Sequence, residues 1–135
     1  MYKKLLVPIV FDDDHDTQAS FKAALTLADS DAAYTVMHVL NAIPAFAASE
    51  VPDALLTKMA DKTSKDLEAA AEALPGADTV LVSGHAGRQI VNHATSHEND
   101  CIVIASHVPG LENVFLGSTA DWVVRHAKCA VHVIR

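Results

Sequence analysis

Five short apolar runs punctuate the chain: Leu5 to Ile9, Tyr34 to Leu40, Val80 to Val82, Cys101 to Ala105 and Val131 to Ile134. Most are continuously apolar and rich in Val and Ile, the pattern of strands covered on both faces in a parallel sheet. Stretches with helical spacing separate them. Ala19, Ala23, Leu27 and the offset Ala24 and Ala28 mark one face of a helix spanning roughly Thr17 to Asp29. Leu55, Leu56, Met59, Thr63, Leu67, Ala70, Ala71 and Leu74 fall at steps of three and four along a longer helix that Pro75-Gly76 stops. Ile90, Val91 and Ala94 mark a third helix, and Trp122, Val123 and Ala127 a fourth.

The order β-α-β-α-β-α-β-α-β, with right-handed crossovers, predicts a single α/β domain over residues 1–135: an open, doubly wound parallel sheet of five strands with helices on both faces. Periodicity does not give the strand order. Whatever that order, ligands of such sheets bind beyond the carboxyl ends of the strands where the winding reverses. The segments to inspect are therefore Pro8 to Asp14, the chain from Asn41 onward, Ser83 to Gly87, and Ser106 to Ser118. The Ala-rich apolar stretch Asn41 to Pro52 has the size of a lid or an interface rather than of an ordinary turn.

Composition narrows the classes. The chain has 135 residues, half of them apolar, and 10 Lys+Arg against 17 Asp+Glu, so its formal charge is 10 − 17 = −7. A domain of this size buries enough surface to fold without disulfides or a structural metal. Its acidity argues against nucleic-acid binding, which draws on many Lys and Arg contacts to phosphate. No apolar run approaches the roughly 20 residues of a membrane-spanning helix, and Pro8 and Asp12 to Asp14 break up the pattern of a signal peptide. Cys101 and Cys129, in or beside apolar runs, read as buried thiols of a reducing compartment, and a cytoplasmic protein is expected.

The glycines at 76, 84, 87, 110 and 117 form no Gly-x-Gly-x-x-Gly fingerprint and no Walker loop. Neither a Gly-x-Ser-x-Gly elbow nor a His-Glu-x-x-His zinc motif occurs. The remaining candidate is Ala105-Ser106-His107-Val108-Pro109-Gly110, followed after Leu111 to Leu116 by Gly117-Ser118-Thr119 at the start of the last helix. A Gly-Ser-Thr at a helix start offers unpaired N–H groups and two hydroxyls, and the helix dipole favours an anion there. Phosphate fits such a place; so does the plainer alternative, in which Ser118 or Thr119 is an ordinary N-cap.

Lys3-Lys4-Leu5-Leu6-Val7-Pro8, His38-Val39, Ser83-Gly84-His85-Ala86, the run from Ile102 through Ser106-His107 to Gly117-Ser118, Val124-Arg125-His126-Ala127 and Val131-His132-Val133-Ile134-Arg135 together resemble the universal stress protein family. Ser106-His107-x-Pro109 with Phe115-Leu116-Gly117-Ser118 is most similar to its nucleotide-binding F/G-type bacterial subgroup. The resemblance implies a sheet in the order 3-2-1-4-5, a homodimer joined through the last strands, and ATP held between the loops after the first and fourth strands. By the same resemblance Pro8 and Ile9 line the adenine and ribose side, and Val39 contacts the adenine. Backbone groups at Ala105, Ser106, Gly117, Ser118 and Thr119 hold ribose and phosphates.

The chain departs from the family pattern in two places. The pattern Gly-x-x-Gly, nine residues, then Gly-Ser or Gly-Thr meets Ala105 and Val108 at its two glycines and only eight residues before Gly117, with Gly110 as a substitute. Val10 stands where many nucleotide-binding members have an Asp. Ribose or Mg²⁺ contacts then fall to Asp12, Asp13 or Asp14, since a triphosphate in an acidic protein brings Mg²⁺, which takes one or two carboxylates. The alternative for these aspartates is a solvated loop whose last member caps the first helix.

His107, beside Ser106, is placed to donate a hydrogen bond to a ligand or to its own loop. His93 and His97 lie four apart on one helix face, a spacing that chelates metals, but with no third ligand near in sequence they read as surface histidines. Arg125 is expected to face solvent or a partner, and Trp122 to anchor the core or an interface. No general base accompanies the proposed phosphate site, so the expectation is a regulatory sensor, not an enzyme, with at most slow ATP hydrolysis. The alternative is a dimeric interaction module that binds no nucleotide and an unidentified protein partner. Val131 to Ile134 forms an apolar edge in the implied strand order, and pairing with its two-fold copy covers it.

Overall fold

The computed structural model describes residues 1–12, 16–41, 45–106 and 116–135, without the side chains of Phe46 and Ala48. Its elements run β1 (Tyr2–Pro8), α1 (Thr17–Leu27), β2 (Ala28–Leu40), α2 (Ala45–Ala48), α3 (Asp53–Ala71), β3 (Asp78–Ser83), α4 (Ala86–Ser96), β4 (Cys101–Ala105), α5 (Ser118–His126) and β5 (Ala130–Ile134). The strands form one all-parallel sheet in the order β3-β2-β1-β4-β5, as the resemblance implies.

Why the strands read as unbroken apolar runs is visible in the two cores. In β1, Leu5 and Val7 face a cluster with Phe21 and Ala24 of α1 and Leu67 and Ala71 of α3. Leu6, between them, faces Ile90 and Ala94 of α4 and Ala120 and Val123 of α5. In β4, Cys101 and Val103 join the first cluster and Ile102 and Ile104 the second. A central strand buried on both faces has no polar positions to alternate with. Leu5, Leu6, Val7, Ile102 and Val103 are accordingly wholly buried.

Several boundaries differ from the periodicity. α1 ends at Leu27 instead of Asp29, and β2 begins at Ala28, six residues before Tyr34. Tyr2 pairs with Ala28 and Lys4 with Ala33, so β2 bulges through Asp29, Ser30 and Asp31 at its exposed start. Pairing of the flanking Ala28 and Ala33 with β1, not apolar patterning, carries that polar segment in the strand, with the N-terminal ammonium 3.5 Å from Asp29. α3 ends at Ala71, and Leu74 packs into the core from the turn that follows. A single helical turn, α2, lies within the Ala-rich stretch. The N-cap of α1 is Asp16, not the last of the three preceding aspartates: its carboxylate accepts from the Ala19 amide at 3.0 Å.

Candidate functional site

The winding reverses between β1 and β4, because α1 and α3 cover one face and α4 and α5 the other. At the carboxyl ends of these strands lies a cleft of about 470 Å³. Pro8, Ile9 and Val10 enter it from β1 and Met37 to Asn41 from β2. Ile104, Ala105 and Ser106 enter from β4, and Gly117 to Ala120 from the start of α5. The cleft therefore gathers eight of the ten residues predicted to bind nucleotide: Pro8, Ile9, Val39, Ala105, Ser106, Gly117, Ser118 and Thr119. His107 and Gly110 lie outside the described residues, as do Val108, Asp13 and Asp14.

Two sets of hydrogen bonds shape this cleft. On the β1 side, the Ile9 amide donates to the Met37 carbonyl at 2.8 Å. His38 Nδ1 lies 2.8 Å from the Ile9 carbonyl. That carbonyl can only accept, so Nδ1 carries the proton. Phe11 meets the His38 ring edge-on, with centroids 5.0 Å apart. These contacts hold the backbone beyond Pro8 against β2, and Val10 stays 42% exposed at the cleft mouth, so its side chain does not plug the hollow.

On the β4 side, Ser106 is buried and joins three elements. Its amide donates to the Ile134 carbonyl of β5 at 2.8 Å, and its Oγ accepts from the Gly117 amide at 2.7 Å. Gly117, not Ser118 or Thr119, is the N-cap of α5, in an extended conformation and without a side-chain cap among the described residues. The Asp121 amide begins the helical ladder by bonding to the Gly117 carbonyl at 2.9 Å. The N–H groups of Ser118 and Thr119 thus precede the ladder and border the cleft at the positive end of the helix dipole. Asp121, the acidic residue of this first turn, is drawn along the helix into an ion pair with Arg125 at 3.1 Å.

The floor of the cleft is apolar, formed by Ile9, Met37, Val39, Ile90, Ile104 and Ala120, while Thr17, Ser20, Ser106, Ser118 and Thr119 supply hydroxyls. An apolar slot beside a cluster of donors suits a ligand with a planar ring at one end and an anion at the other. Sequence reasoning missed His38, Thr17, Ser20 and Ile90 as lining residues, while Ala86 falls in the segment Ser83 to Gly87 that it marked for inspection. One signal for Ser20 was present: it is a polar residue next to Phe21 on the helix face that the alanines mark, and it is 1% exposed.

The remaining candidates lie elsewhere. Burial pushes the Cys101 thiol up to about 11 and raises that of Cys129, which suits inert thiols. Trp122 is half-buried on α5. Its ring packs against Gly87, meets His85 edge-on at 4.8 Å, stacks on His126 at 4.0 Å and lies 5.3 Å from the Arg88 guanidinium. Among the described residues no three His, Cys, Asp or Glu converge as a metal site, and no helix is long and apolar enough to cross a membrane.

Fold and cleft define an open, doubly wound α/β domain with a ligand-sized crevice at its switch point. The model of the universal stress protein family matches residues 1–135, and the chain belongs to that family. A putative universal stress protein of Staphylococcus aureus (strain USA300) is 29% identical over 144 residues, covering 99% of this chain and 84% of that protein. Among solved structures, universal stress protein UspA from Lactobacillus plantarum is similar with a TM-score of 0.71 and 29% identity, covering 99% of this chain and 98% of that one. The universal stress protein from Archaeoglobus fulgidus in complex with dAMP is similar in fold, with a TM-score of 0.67 at 18% identity, covering 99% and 98% of the two chains.

Proposed function

We propose that the protein is an adenine-nucleotide-binding stress protein that takes ATP in this cleft and acts as a regulatory sensor, not as a catalyst. The observation that carries this reading is the start of α5 beside Ser106, without a side-chain cap among the described residues and facing an apolar slot at the switch point. The adenine lies between Pro8, Ile9 and Val39, and the phosphates lie over the Ser118 and Thr119 amides, where the helix dipole favours negative charge. Mg²⁺ accompanies the triphosphate in so acidic a chain, and Asp12 is the described member of the three candidate carboxylates. The dAMP complex of the Archaeoglobus fulgidus relative supports an adenine ligand in a cleft of this fold. Among the described residues of the cleft only His38 is of a type that serves as a general base, and its ring is tied to the Ile9 carbonyl and packed against Phe11, so on this reading hydrolysis is at most slow. The protein works in the cytoplasm as a dimer paired through β5.

The test is direct. Protein purified without added nucleotide is extracted and its small molecules identified, and its thermal midpoint is followed against Mg-ATP. Bound adenine nucleotide is expected, and at ~100 times Kd the native state gains about 2.7 kcal/mol. Absence of both overturns the reading. In that event the second reading, a dimeric interaction module, takes its place. Leu55 and Met59, exposed at 47% and 56% on the outer half of α3, favour such a surface.

A further inference from the structure

His93 and His97 stand one turn apart near the C-terminal end of α4, with ring centroids 3.9 Å apart and planes within 10°. The His97 ring is engaged on one side. His97 Nδ1 lies 3.1 Å from the His93 carbonyl, which can only accept, so the ring donates there; Ser96 Oγ is 3.0 Å from the same nitrogen. His93 Nδ1 and Asn99 Oδ1 are both buried, and neither has a hydrogen-bond partner among the described residues. Asn99 Nδ2 reaches the Lys4 carbonyl at 3.5 Å. Pairing the two orphaned atoms places a proton on His93 Nδ1. Each imidazole then carries its hydrogen on the engaged nitrogen and keeps a lone pair on Nε2. Histidines that bind metals in proteins are held in this way, with the second ring nitrogen donating to an oxygen.

We propose that His93 and His97 form a bidentate site for a late first-row divalent cation, such as nickel, copper or zinc, through their Nε2 atoms. Imidazole suits these ions and discriminates against magnesium and calcium, which prefer oxygen. Metal–nitrogen bonds of about 2.0–2.1 Å bring two ligand nitrogens to roughly 3 Å of each other; the rings are neighbours but near parallel, so each turns about its side-chain torsions to aim its in-plane lone pair at the shared ion. The cation sits at the negative end of the α4 dipole.

The charged surroundings are mixed. The Lys4 ammonium donates to the His97 carbonyl at 2.8 Å, and the Asp100 carboxylate accepts from the Lys3 and Lys4 amides at 2.9 Å. Glu98 is exposed next to His97. With no cluster of three ligands among the described residues, water completes the coordination. Because the two nitrogens converge only when residues 93–97 are helical, the bound ion stabilises the native state. The site is separate from the cleft and holds whether or not nucleotide binds there.

Untagged protein titrated with nickel chloride in a calorimeter, with the thermal midpoint followed in parallel, tests the site. One Ni²⁺ per chain is expected, with a rise in midpoint that magnesium does not reproduce. His97→Ala and His97→Gln, at an exposed position, lower the affinity on the order of tenfold or more, at least the scale on which orienting contacts act on metal sites. Both remove the thermal shift, while His132→Ala leaves binding and shift intact. Unchanged Ni²⁺ affinity and shift in both His97 variants, or their loss in His132→Ala, overturns the proposal.

Discussion

Burial holds the Cys101 thiol protonated, and that one side chain yields a pH prediction whose sign follows from linkage. Its folded value of about 11 lies above the ordinary 9.0, so the contribution to stability is complete below pH 9 and is lost as the pH rises through the folded value. Denaturation midpoints measured between pH 8 and 11 are expected to fall, and Cys101→Ala, although less stable throughout, is expected to show a shallower fall. The same burial predicts that thiol reagents leave native Cys101 unmodified at pH 7 until the protein is unfolded. At this scale the sequence was legible where chemistry lies within a few neighbouring residues. Gly117-Ser118-Thr119 signals a helix start without help from the fold. His38 was illegible, because what makes it a cleft residue is a partner far along the chain, the Ile9 carbonyl; Ser20 gave a local signal of burial, but its place in the cleft depends on where α1 meets the switch point.

At the scale of elements, apolar period placed every long helix and every strand but misjudged ends wherever pairing or packing overrides pattern. Polar Asp29 to Asp31 belongs to β2 because β1 lies beside it, which no local signal shows. The contact of α4 with α5 was equally hidden, since it depends on a missing atom. Gly87 is buried, and a Cβ there would overlap the Trp122 ring. In Gly87→Ala the overpacking cost of about 1–3 kcal/mol outweighs the roughly 1 kcal/mol that alanine gains in helix propensity. A lower thermal midpoint is expected. Trp122→Leu in the same chain recovers part of the loss, and a double-mutant cycle by chemical denaturation measures that coupling.

For the whole molecule, alternation of strands and helices gave the fold class, while the order β3-β2-β1-β4-β5 followed only from resemblance, since periodicity carries no information about which strands are neighbours. That order leaves β5 on an edge with Val131, Val133 and Ile134 half-covered. Such an edge pairs with another chain unless it is protected. Sedimentation at micromolar concentration is expected to give a dimer, and a proline at Val131 or Val133, whichever amide points outward, to shift it to monomer. Glycine against indole has one more consequence at this scale. Ala86 and Ile90 stand on one wall of the crevice and Ser118 to Ala120 on another, so the span between those walls is gauged by a methyl group that is not there. A bulkier residue at position 87 would widen the aperture from behind, changing which molecules fit without altering a single atom that touches them.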